Sequence, residues 1–283
     1  LVTRFIEGQV RQPFDLVNGS FLRVALLPLA DQDHLLVLTQ HHIVSDGWSM
    51  QVMVDELVRS YVAQVEGREP DFAALPIQYA DYALWQRQRM EGGERERQLQ
   101  YWRTQLGEQQ PVLPLPGDRT RPAQPSHRGG QLELKLQAPL CEGLRELAQR
   151  QQATLFMVLL AGFQVLLHRY SGQDDIRVGV PVANRNRQET EGLLGVFINT
   201  LVRRANVDGR LPFSQLIEQV RQTTLQAQDH QDLPFEQLVE ALQPERSLSH
   251  TPLFQVLYNH RAQGTQAQGP LVSGLSIEPL AAD

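Results

Sequence analysis

Cysteine is almost absent: one residue in 283, Cys141, excludes an internal disulfide framework. It lies in a stretch of helical spacing, 139–152, where a small buried hydrophobe is its expected role. Positive charge is also in short supply. With 26 Lys and Arg against 32 Asp and Glu, the net charge of −6 offers no general attraction for nucleic acid. Long apolar runs are lacking too. The most apolar window, 155–167, is broken by Gln164 and falls short of the ~20 residues that span a bilayer, so we expect a buried helix and no membrane contact. No charged leader, apolar run and small-residue cleavage site follow Leu1, so no secretory signal is expected, and a cytoplasmic setting fits the lone cysteine. The missing initiator Met points to an excised piece of a longer chain. There is no internal repeat, and the one biased stretch is a short Gln- and Gly-rich loop at 263–269. What is present is 41% hydrophobic residues, enough to bury the core of one large domain or two modest ones.

Two runs rich in Leu and Val, 21–29 and 34–40, flank Ala30-Asp31-Gln32-Asp33 and predict an antiparallel hairpin. The second run leads directly into His41-His42-Ile43-Val44-Ser45-Asp46-Gly47. Beyond it Val54, Leu57, Val58, Tyr61, Val62 and Val65 recur at spacings of three and four, predicting an amphipathic helix from near Trp48 or Ser49. The two histidines therefore occupy a strand-to-helix loop between rigid elements, a position that favours function over packing.

A second helical region is predicted over 79–106, and its mixed-charge run, 91–97, reads as solvated surface. Pro and Gly crowd residues 107–130 and predict an irregular connection. We accordingly divide the chain into an N-terminal lobe (1–110), a connection (111–130) and a C-terminal lobe (131–283). The last is predicted to run strand 131–136, helices 140–151 and 155–170, strands 176–182 and 195–207, helices 213–228 and 235–242, and strand 253–259. That mixture is α/β.

Two adjacent imidazoles followed by a carboxylate admit three readings. A metal site would need His42 and Asp46 on one helical face, but Gly47 and the abrupt strand exit argue against a helix there, and no further ligand cluster has the spacing; no metal is expected. Ordinary hydrogen-bonded packing is the second. The third is acid–base or positioning chemistry in acyl transfer, with His42 near the nucleophile. Asp46, paired with an arginine, would anchor the loop, and Gly47 would allow close backbone approach.

The run His41-His42-Ile43-Val44-Ser45-Asp46-Gly47-Trp48-Ser49 resembles the HHxxxDG signature of nonribosomal peptide synthetase condensation domains. Five other segments resemble that family's motifs in the expected order. They are Arg11-Gln12-Pro13-Phe14-Asp15-Leu16 with Leu22-Arg23-Val24, Tyr79-Ala80-Asp81-Tyr82-Ala83-Leu84-Trp85-Gln86-Arg87, Gly195-Val196-Phe197-Ile198-Asn199-Thr200, His230-Gln231-Asp232-Leu233-Pro234-Phe235-Glu236, and residues 246–256. The resemblance spans nearly the whole chain, which is shorter than a complete condensation domain and is expected to be truncated at both ends.

The resemblance implies a chloramphenicol-acetyltransferase-like fold of two α/β sandwich lobes in a V, with the active site between them. It implies that His42 is catalytic, that His41, Asp46 and Gly47 are structural, and that Asp46 pairs with a second-lobe arginine, Arg185 or its neighbour Arg187. Trp48, Ser49 and Asn199 are candidate tunnel residues; Asn199 also reads as a strand-end residue satisfying backbone groups. No cofactor is bound by the domain itself: substrates arrive on the 4′-phosphopantetheine arms of upstream and downstream peptidyl carrier domains, beside an adenylation domain. The implied reaction joins a donor thioester to an acceptor amine, with an L-configured donor favoured by Ser45 and its context. Epimerisation domains resemble a Ser-Trp order where this chain has Trp48-Ser49, and cyclisation domains carry aspartates where it has His41 and His42. A coenzyme A-dependent acyltransferase would lack most of the other segments. A non-catalytic docking module has no use for the intact histidine pair.

Overall fold

Leu- and Val-rich alternation around a two-residue turn folds as the hairpin the sequence predicts: β1 (Leu22–Ala30) and β2 (Asp33–Gln40) pair antiparallel from Leu22↔Gln40 to Pro28↔His34, with a register shift before Ala30↔Asp33. The structure is a computed structural model describing residues 2–119, 121–124, 126, 128–243, 248–260, 275–278 and 280. The described residues of Leu1–Trp85, Arg185–Phe197 and Gly264–Asp283 form one compact unit, and those of Gln86–Asn184 and Ile198–Gln263 form the other.

In the first unit, α1 (Val2–Arg11) lies against β2. The period of two along β1 leaves Val24 and Leu26 exposed and half-buries Arg23, Ala25 and Leu27. Helix α2 (Gly47–Val65) starts two residues earlier than the apolar spacing suggests at its later limit, because Asp46 caps it. The unit also holds the start of α3 (Tyr79–Arg89) and the segment Arg185–Phe197 with its short helix α7 (Gln188–Glu191). Tyr82, Leu193 and Phe197 are buried together, with Ile77 and Trp85 packed against them.

The second unit begins within the 79–106 region, where the structure corrects the expectation of continuous helix. A π-helical turn, Met90–Glu94, separates α3 from α4 (Arg95–Leu106), and Gly93 within it has φ 104°, which only glycine adopts without strain. There follow α5 (Ala138–Arg150), α6 (Leu155–Ser171), β3 (Asp175–Val182), β4 (Asn199–Asn206), α8 (Phe213–Gln228) and α9 (Phe235–Leu242). Strands β3 and β4 pair antiparallel from Asp175↔Asn206 to Val182↔Asn199. Helix α6, apolar on most sides and capped by Thr154 and Gly172, packs on β3 and α8. Its Val158, Leu160 and Ala161 share a core with Ile176, Val178, Ile217 and Val220, and each large side chain so buried contributes about 1.5–3 kcal/mol.

Three further expectations are revised. Residues 131–136 form no strand: no other strand pairs with them among the described residues, and Leu132 and Leu134 are 94% and 81% exposed. The predicted strand at 253–259 reduces to one parallel bridge, Gly179↔Leu257. Cys141 is half-buried rather than buried. The loop at 263–269 and residues 246 and 247 lie outside the described residues. Among the described residues no single helix is long and apolar enough to cross a membrane.

Candidate active site

Where β2 ends, the His41 N–H donates to the Phe21 carbonyl at 3.0 Å, and the chain then tightens into one 3-10 turn, His42–Val44. His41 caps that turn by accepting the Ile43 N–H on Nδ1 at 3.0 Å. A ring nitrogen that accepts carries no proton, so neutral His41 is protonated on Nε2. His42, the first residue of the turn, is exposed, and no hydrogen bond to its ring is seen among the described residues.

Asp46 closes the turn and begins α2. Its Oδ1 accepts the Ser49 N–H at 2.8 Å, satisfying a donor that every helix start leaves over. The same oxygen accepts from Arg185 Nη2 at 3.2 Å, and Oδ2 accepts the Phe197 N–H at 3.0 Å. Burial pushes the Asp46 carboxyl up, but the N–H groups of Ser49 and Phe197, the Ser49 side chain and the charge of Arg185 outweigh it, and the net shift is downward. The Asp46 and Arg185 side chains are 3% and 1% exposed, so this pair must offset the cost of removing both charges from water.

Arg185 does so through its two terminal nitrogens, while its buried Nε has no hydrogen-bond partner among the described residues. Nη1 donates to the carbonyls of Thr190 and Leu193, Nη2 also donates to Ser49 Oγ at 2.7 Å, and the guanidinium lies 4.0 Å from the Phe197 ring centroid. Ser49, a candidate tunnel residue from the sequence, is buried. Its hydroxyl donates to the Gly195 carbonyl at 2.9 Å and accepts the Gly195 N–H at 3.1 Å. Trp48 is 45% exposed and donates from Nε1 to the Glu191 carbonyl at 2.9 Å. Gly47 is the first residue of α2.

The structure thus brings His41, His42, Asp46, Gly47, Trp48, Ser49 and Arg185 into one unit. Arg187 belongs to the same unit but meets Trp85 instead, its guanidinium 4.4 Å from that ring's centroid. Asn199 belongs to the second unit, where Nδ2 donates to the carbonyls of Gln231 and Leu233, both at 2.8 Å, and Oδ1 accepts from Thr200 and Phe235. All its hydrogen-bonding groups serve the backbone, as the strand-end reading of this residue requires. Among the described residues, no three His, Cys, Asp or Glu side chains gather as metal ligands would.

Tyr79 was not singled out from the sequence as a site residue. Its hydroxyl donates to the Val196 carbonyl at 2.7 Å, and its ring lies where a side chain on Gly195 would project. The available signal was the joint presence of Tyr79 and Gly195 in two motif-like segments, without any indication that the segments touch.

Likeness to solved structures gives this mixed α/β chain the chloramphenicol-acetyltransferase-like fold. The chain belongs to the condensation domain family, whose model, "Condensation domain", matches residues 1–277. It is 50% identical over 270 residues to a linear gramicidin synthase of Brevibacillus parabrevis, an alignment that covers 95% of this chain and 4% of that protein. Among solved structures, the complex of the X-domain and OxyB from teicoplanin biosynthesis matches with a TM-score of 0.81 and 32% identity, over 90% of this chain and 57% of that one. A four-domain nonribosomal peptide synthetase bound to AMP and glycine matches with a TM-score of 0.81 and 28% identity, over 93% of this chain and 20% of that one.

Proposed function

We propose that this domain forms an amide bond between a donor acyl or peptidyl thioester and the α-amine of an acceptor aminoacyl thioester, both delivered on 4′-phosphopantetheine arms of peptidyl carrier domains. The amine nitrogen attacks the donor carbonyl, a C–N bond forms and the C–S bond breaks. The donor arm leaves as a thiol, its sulfur taking the proton that the amine gives up. An α-amine, with a reference value near ~8, is partly neutral at pH 7. His42 therefore need not be a strong base: its ring aligns the amine and relays that proton. The observation that carries this reading is the turn bearing His42, clamped by the buried Asp46–Arg185 pair. Belonging to the condensation domain family supports it.

Epimerisation would instead remove and return the proton on the α-carbon of one carrier-bound residue, and the Trp48-Ser49 order weighs against it. A docking role is the second reading, favoured by the likeness to an X-domain solved with OxyB; the intact His41-His42 pair weighs against it. Mass analysis of loaded carriers after mixing separates the three. The proposed function predicts a dipeptidyl thioester on the acceptor arm and a free thiol on the donor arm. Solvent deuterium at the α-carbon without condensation would establish epimerisation, and unchanged loads would favour docking.

A further inference from the structure

Two segments that resemble family motifs, 11–16 and 22–24, have no part in the clasp around Asp46. We infer that Phe14 and Arg23 are positioning residues for His42 and act through the ring of His41; the inference rests on the proposed reaction and adds the other half of the support for its turn.

Arg23 donates from Nη2 to the carbonyls of Gln9 and Gln12, both at 2.8 Å, and from Nη1 to that of Pro13 at 3.3 Å. It thereby ties the chain leaving α1 to β1. The same guanidinium lies 3.8 Å from the Phe14 ring centroid, where a cation is attracted to the ring face. Phe14 in turn meets His41 edge to face, with centroids 5.6 Å apart and planes at 81°. The ring so held aims Nδ1 at the Ile43 N–H.

Rotation of the His41 ring would withdraw the acceptor and release the first residues of the turn that displays His42. Phe14 packs against that ring and resists the rotation, and Arg23 fixes Phe14. His42 is consequently held from both ends: by the Asp46–Arg185 pair after it and by the Arg23–Phe14–His41 stack before it.

The test uses the full-length protein with loaded carrier domains, reading single-turnover amide formation and hydrogen exchange at the Ile43 amide. Phe14→Leu keeps apolar bulk but removes the ring; it is expected to slow amide formation about tenfold or more and to speed exchange at Ile43, with Arg23→Met shifting both the same way. Phe14→Tyr restores both. His41→Asn replaces the ring with an amide oxygen near the place of Nδ1, so in that background Phe14→Leu should add no further loss. An equal loss from Phe14→Leu with and without His41→Asn, or unchanged exchange at Ile43, would overturn the inference. Exchange is read without reference to product, so failure of the proposed reaction is distinguishable from failure of the stack.

Discussion

Asp46 meets three donors with two oxygens: the Ser49 and Phe197 amides and the Arg185 guanidinium. Asp46→Asn retains a capping oxygen but leaves Arg185 buried without a counter-charge, and breaking one side of such a pair costs about 3–5 kcal/mol. A fall of that size in unfolding free energy is expected from denaturant titration. The wild-type carboxyl lies below its ordinary range when folded. Its contribution is therefore complete above the unfolded value near ~3.9 and is lost as pH falls through the lower folded value. Stability measured from neutral pH down through that region should decline less steeply in Asp46→Asn than in wild type. Ser49→Ala strips a buried acceptor from Arg185 and from the Gly195 amide, and about 1–3 kcal/mol of destabilisation is expected.

At the scale of elements, the segment Arg185–Phe197 holds the turn by close backbone approach. A Cβ on Gly195 would lie 2.1 Å from the Tyr79 ring, whose hydroxyl is engaged by Val196. Gly195→Ala must displace that ring; about 1–3 kcal/mol of lost stability is expected in thermal unfolding, with loss of amide formation at temperatures where the protein remains folded. The π turn supplies an internally controlled comparison. Gly93 has φ 104°, whereas Gly92 has open space and no such angle. Gly93→Ala should destabilise by about 1 kcal/mol or more, and Gly92→Ala should leave the midpoint unchanged or raise it. Neither glycine announces its conformation in the sequence, because Gly92 and Gly93 are adjacent in one charged run. The hairpin, α2, α6 and α8 were legible because their periods of 2 and 3.6 are local. Residues 131–136 have the alternation of a strand, but a strand also needs a partner, which no local pattern specifies.

For the molecule as a whole, the parts of the site differ in how far they could be read. The histidines and Asp46 stand on one short loop, where residue type and spacing leave metal binding, packing and acyl transfer open and the family resemblance points to the last. Arg185 lies 139 residues from Asp46, and nothing local distinguishes it from Arg187. In the structure Asn184 takes a positive φ of 54°, Arg185 turns inward to Asp46, and Arg187 reaches Trp85. The segment after the Pro- and Gly-rich connection that contains Arg185 belongs to the same unit as residues before it, an arrangement that long-range hydrogen bonds create and composition does not reveal. Under the proposed reaction, both supports serve the His42 imidazole. The most direct measurement is therefore the single-turnover rate of dipeptidyl transfer between loaded carriers by the full-length protein and by its His42→Ala form. A loss of about a hundredfold or more with the unfolding midpoint unchanged is the predicted result; transfer at the wild-type rate would contradict it.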